Sequence, residues 1–269
     1  MDTIDKAAAY SETLSKVPAI TLGFWIIKIL ATTLGETGGD SVSMSFTDMI
    51  GISHDAGYVI GTALFLPLLV ILVAFQIRSR IFHPTLYWAT IIASTTAGTT
   101  MADYATRSLG IGYTGGSALL LALVVGSLLV WKSVIGKISV DDVNTPKAEM
   151  FYWITITFSQ TLGTALGDWM ADTSGFGYLG AASVFSVLLA ITAALYYATF
   201  FSRVLLFWAA FILTRPFGAT VGDFLDKPLE KGGLDLSRPV ATLVLAVAIG
   251  LLIWLLPQRA GAHPQNAQA

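Results

Sequence analysis

Apolar runs of about 20 residues recur along the whole of this 269-residue chain, and about 20 residues is what an α-helix needs to cross the hydrocarbon core of a bilayer. Eight such runs are legible, at about 17–36, 57–77, 84–103, 113–131, 149–167, 177–200, 203–222 and 239–256. Composition agrees: 55% of the residues are apolar, 12% are charged and the mean hydropathy is +0.72. A soluble domain carries about 25% charged residues, so a soluble enzyme and a disordered chain are both excluded. The net charge of −2 leaves no basic footprint for nucleic acid. There is no cysteine, hence no disulfide, thiolate metal site or cysteine nucleophile, and the three histidines (His54, His83, His263) are not spaced as a metal pair.

The first sixteen residues are polar and mixed in charge. They lack the basic start and short apolar stretch of a cleaved signal peptide, so the first run is expected to remain as a membrane helix. Pro18 and Pro84 are expected in first-turn positions, where a missing N–H is harmless. The chain then divides into a polar N-terminal segment (1–16), one membrane domain (17–257) and a disordered C-terminal tail (258–269). Eight spans put both termini on one side, here called the terminal side. Its loops and ends hold nine Lys and Arg against four on the opposite side (Arg107, Lys227, Lys231, Arg238), which makes the terminal side the cytoplasmic one.

The spans are not independent. Four aromatic–Trp pairs, Phe24-Trp25, Tyr87-Trp88, Tyr152-Trp153 and Phe207-Trp208, start the same pattern. Ten residues after each Trp stands Gly (Gly35, Gly98, Gly163, Gly218), fourteen after a small residue (Gly39, Ala102, Gly167, Gly222), and fifteen after an Asp (Asp40, Asp103, Asp168, Asp223). The pattern [FY]-W-x9-G-x3-[GA]-D thus occurs four times, at spacings of 63, 65 and 55 residues. Each unit pairs a motif helix with a plainer apolar helix, giving repeats of about 17–80, 81–146, 147–201 and 202–257.

On these four motifs the chain resembles a bacterial family of integral membrane proteins built from four tandem repeats of unknown function, each with two membrane segments and a characteristic Trp. The resemblance covers about residues 17–257. It implies an all-α polytopic fold, a place in the bacterial cytoplasmic (inner) membrane and the repeat count. It implies no activity.

A two-helix repeat keeps its orientation, so all four motif helices run the same way. A pseudo-fourfold ring or two pseudo-twofold halves are the arrangements expected. The small residues four apart suit close helix packing in lipid. Positions 7, 11 and 15 after Trp share one helical face. Position 7 is Thr32, Thr95, Gln160 and Arg215; position 11 is Glu36, Thr99, Thr164 and Ala219; position 15 is the four Asp. Thr33, Thr96 and Thr161 stand at position 8, and Lys28 at position 3 extends the first stripe inward. Such stripes are costly against hydrocarbon, so they are expected to face one another and line a polar cavity. The Asp residues have a second reading as interfacial helix caps.

The residues expected to bind substrate are therefore Glu36, Asp40, Asp103, Asp168, Asp223, Arg215, Lys28, Thr32, Thr33, Thr96, Thr99, Gln160, Thr161 and Thr164. Among these, Glu36 and the four Asp are candidate metal ligands, since carboxylates are hard oxygen donors for Mg²⁺, Ca²⁺ or Mn²⁺. Glu36 and Arg215 lie in adjacent tiers and are expected to pair. The function expected is transport of a small cation, with a divalent metal exchanged for protons as one form. A passive cation channel and a non-transporting scaffold or sensor subunit are the alternatives. No enzyme is expected, because no nucleophile–base pair or cofactor fingerprint is present. Nor is any cofactor expected beyond a bound cation. The expected partners are the lipid bilayer and a small ionic substrate, not nucleic acid. Nothing in the sequence fixes the oligomeric state.

Overall fold

A computed structural model describes residues 15–261. The expected polar leader and disordered tail lie, for residues 1–14 and 262–269, outside the described residues. The described chain is all-helical, with eight helices of 18 residues or more: α1 (Leu22–Asp40), α2 (His54–Arg78), α3 (Pro84–Asp103), α4 (Gly112–Ile135), α5 (Pro146–Asp168), α6 (Gly177–Ala198), α7 (Arg203–Asp226) and α8 (Arg238–Leu255). Five of them, α2, α4, α6, α7 and α8, are long and apolar enough to cross a membrane. The other three are motif helices whose buried stripes of Thr, Gly and acid lower their hydropathy.

Local signals explain the helix starts. The side chains of Thr21, Ser53, Thr145 and Ser202 accept a backbone N–H at the starts of α1, α2, α5 and α7. Pro84 and Pro146 sit in the first turns of α3 and α5. Pro18 does not behave as expected. Residues 17–20 precede the helix and pair with the far end of the domain, Gly261 N donating to Val17 O (2.8 Å) and Ala19 N to Arg259 O (2.9 Å). The first helix therefore begins at Leu22 rather than 17 and continues to Asp40 rather than 36. Packed chain also reaches Gly261, beyond the boundary drawn after 257. At the other end, α1, α3 and α5 each pass, directly after the motif Asp, into a five-residue π-helical turn (Ser41–Ser45, Tyr104–Ser108, Trp169–Thr173). The fourth motif helix, α7, has no such turn.

The four motif helices form a closed ring, α1 on α3, α3 on α5, α5 on α7 and α7 on α1. The glycines set it up. A Cβ on Gly35 would overlap Thr95, one on Gly98 would strike Gln160 and Thr161, one on Gly163 would overlap Arg215, and one on Gly218 would overlap Thr32. The Gly at position 10 of each repeat thus receives the position-7 residue of the next, in the same register at all four contacts. Without side chains there, the backbones approach closely enough to exclude lipid and water between them.

The aromatic pairs close a second ring nearer the terminal side. Phe24 meets Trp88 (centroids 5.5 Å apart), Tyr87 meets Trp153 (5.8 Å), Tyr152 meets Trp208 (6.3 Å) and Phe207 meets Trp25 (5.9 Å). These separations suit tilted and edge-on ring pairs. Outside the rings, each plain helix packs on the motif helix of the following repeat, α2 on α3, α4 on α5, α6 on α7 and α8 back on α1. Both the inner ring and this offset outer layer are therefore cyclic.

Candidate functional site

The ring brings the position-7, -11 and -15 stripes onto one axis, but not around an open cavity. Arg215 occupies the middle, fully buried. Its guanidinium donates to Glu36 Oε2 (3.0 Å), Thr99 Oγ1 (2.6 Å), Thr164 Oγ1, Thr95 O (3.3 Å) and Thr32 O (3.5 Å). The Glu36 carboxylate also accepts from Thr99 (3.3 Å) and Thr164 (3.1 Å). All four repeats contribute to this knot, and the expected Arg215–Glu36 pair lies at its centre. The close backbone approach allowed by the glycines removes the room that a cavity would need.

One turn further along, the four motif Asp are all buried. They are joined in two pairs by cations. Arg107 bridges Asp103 and Asp168, at 3.0 Å from each. Lys227 bridges Asp40 (2.6 Å) and Asp223 (2.9 Å), with Asp226 at 3.9 Å. Arg238 approaches Asp226 (3.6 Å) and Asp40 (3.9 Å). Lys227 lies just past the end of α7. Burial pulls its ammonium down, but Asp223, Asp40 and Asp226 outweigh burial and hold it well above the usual lysine range. The Asp side chains therefore do not cap helices; the helices run on through them.

Sequence reasoning missed Arg107 and Lys227, which it placed in loops. Both stand nineteen residues after the motif Trp, in repeats 2 and 4, where repeats 1 and 3 have Met44 and Asp172. Four residues past each Asp is the next position on the same helical face, so extending the motif by one turn would have found them. The backbone ring is pseudo-fourfold, whereas its charges alternate and are pseudo-twofold. With these two bases, the five axial acids face four bases instead of two, counting Lys28 and Arg215.

Oxygen atoms of Glu36, Asp40 and Asp223 lie within 4.8 Å of one another, close enough for one cation to touch all three. Of the other expected site residues, Thr33, Thr96 and Thr161 turn away and donate to carbonyls of their own helices, Ile29, Ile92 and Thr157. Thr32 donates to Thr214 O (3.1 Å) and closes the α1–α7 contact. Gln160, in the same tier as Arg215, and Lys28, one turn towards the terminal side, are both buried. Neither amide atom of Gln160 nor Nζ of Lys28 has a hydrogen-bond partner among the described residues. Nζ of Lys28 stands 4.2 Å from the Phe211 ring centre, a cation–π geometry. At the Asp end of the bundle, His54 meets Asp48 (2.8 Å) and Asp55 accepts from Ser108 (2.7 Å).

The family model described as Repeat of Unknown Function (DUF347) matches this chain four times, over residues 23–82, 86–134, 151–200 and 206–260. No curated protein and no solved structure matches the chain.

Proposed function

The chain belongs to the family of the Repeat of Unknown Function (DUF347), and we propose that its four repeats act together as a carrier for a small cation. The observation that carries this reading is the convergence of Glu36, Asp40 and Asp223 within 4.8 Å, with the ammonium of Lys227 between two of them. Lys227 is a tethered cation in a site built from hard oxygen donors. A free cation entering from the side opposite the termini replaces it, and return of Lys227 expels the cation. Protons compete for the same carboxylates, which provides for exchange of a divalent metal against protons. Arg215 and the two bridging bases block a continuous axial path, which favours a carrier over a passive channel.

Flux of Mg²⁺, Mn²⁺, Ca²⁺ and Na⁺ into proteoliposomes tests the proposal. Glu36→Gln keeps the shape of the side chain and removes its charge. It is expected to stay folded in detergent and to lose flux of the transported ion, together with any thermal stabilisation that ion confers. Full flux in both Glu36→Gln and Asp40→Asn would show that these acids are structural.

In this reading all eight helices cross the bacterial cytoplasmic membrane, the motif helices being shielded from lipid by the outer layer. Both termini are cytoplasmic, as the nine-to-four basic asymmetry supports. Because the chain has no cysteine of its own, single reporters are clean. Cysteines introduced at Asp142 and Ala262 should react with an impermeant maleimide only after the inner face is opened. Labelling in intact cells would invert the topology.

A further inference from the structure

We infer that the terminal-side slot between α1, α6 and α7 is a binding site for one phospholipid, its acyl chain in the slot and its phosphodiester on Arg203 and Trp208. Two adjoining cavities make up the site, one of about 420 Å³ and one of about 260 Å³. The larger runs along α7 from Arg203 to Thr214 and is walled mainly by Ile29, Leu189, Leu206 and Phe207. At 1.5 Å per residue that stretch is about 16 Å deep, close to half of the roughly 30 Å hydrocarbon thickness of a bilayer. One acyl chain of one leaflet has this reach. The smaller cavity shares Tyr196 and Arg203 with the larger and is also lined by Ser139, Asp141 and Trp208.

The slot is open because one repeat departs from its sisters. Nineteen residues after the Gly of the Gly-Tyr near the start of the first three plain helices stand Gln76, Trp131 and Tyr196. Gln76 is 2% exposed, and Trp131 is 1% exposed and packs between Tyr152 and Trp208. Tyr196, the equivalent residue here, is 46% exposed, turned outward beneath the Arg203 guanidinium at 4.3 Å. The position that Trp131 plugs in one repeat is therefore vacant in the next.

A second observation points to a polar ligand. Trp208 lines the smaller cavity, and its Nε1 is buried with no hydrogen-bond partner among the described residues. Its repeat equivalent, Trp88, donates to Gln258 (3.0 Å). An unpaired buried N–H donor costs stability, and a phosphodiester oxygen satisfies it. A guanidinium at the mouth, a donor beyond it and an apolar slot below match the order of groups in a glycerophospholipid. Phosphatidylethanolamine, which carries a phosphodiester and two acyl chains, is the probe.

Native mass spectrometry of the full chain, released from detergent and titrated with dioleoyl phosphatidylethanolamine, decides the question. One saturable adduct is expected. Dioleoylglycerol, which lacks the phosphate, should bind about tenfold more weakly, as should the lipid to Arg203→Gln, each having lost a charge-assisted hydrogen bond. Trp208→Phe, which keeps an aromatic ring, should weaken binding several-fold. Ala193→Trp fills the slot without touching a charge and should abolish the adduct. Unsaturable binding that ignores both the phosphate and Ala193→Trp would mean annular lipid alone and would overturn the assignment. An adduct that forms only after removal of residues 262–269 would give the slot to the chain's own end and would also overturn it.

Discussion

Gly98→Leu is expected to abolish the folded ring, while Gly126→Leu on an outer helix leaves it intact. A Cβ on Gly98 would lie 2.9 Å from the backbone carbon of Gln160 and 2.9 Å from the backbone nitrogen of Thr161. Neither atom can rotate away, so α3 and α5 would have to separate. Overpacking a core typically costs about 1–3 kcal/mol, and here the cost should exceed that range, because parting two of four helices also disturbs the hydrogen bonds of Arg215. Around Gly126 there is no atom within 4 Å of a Cβ, so a leucine there starts in open space, and it improves helix propensity. Gel filtration and thermal melts in mild detergent separate the two outcomes. If Gly98→Leu elutes and melts like the parent, the close-packed ring is wrong.

The same contacts show how much was legible in the sequence. The repeat register was sufficient to place Glu36, Arg215 and the four Asp on one axis, because a fixed spacing from Trp in parallel helices becomes a fixed height in the bundle. The closure of the axis was harder to see. Each Gly-x-x-x-Gly reads as a packing face by itself, and only the cyclic match of position 10 to position 7 leaves no lumen. The π turns after Asp40, Asp103 and Asp168 carry no pattern that distinguishes them from ordinary helix ends. Helix order in the outer layer was also silent. In α8 only Ile249 is buried, and α2, α4 and α6 bury only four or five residues each, so the plain helices are apolar nearly all round and carry little pattern from which a partner can be read. Arg107 and Lys227 were hidden for a different reason. A charge near a span end reads as a solvated loop residue, whereas here each reaches back four residues to a buried carboxylate.

Arg215→Met is expected to destabilise the fold by about 3–5 kcal/mol, the range for removing one partner of a buried ion pair. The two partners are not equivalent. Once the guanidinium is gone, the Glu36 carboxylate keeps only the hydroxyls of Thr99 and Thr164, too little to replace a charge inside the bundle. After Glu36→Gln, Arg215 still has the oxygens of Thr32, Thr95, Thr99 and Thr164, and a glutamine oxygen can accept as well. Glu36→Gln should therefore cost clearly less than Arg215→Met. The double variant carries neither charge and should recover part of the loss, with a coupling energy within the roughly 0.5–3 kcal/mol seen for contacting residues. Denaturant unfolding of all four proteins measures this cycle. Strict additivity would mean that Arg215 and Glu36 do not act as a pair. Recovery of stability without recovery of cation flux would assign Glu36 two separable roles, counter-ion to Arg215 and oxygen donor to the carried ion.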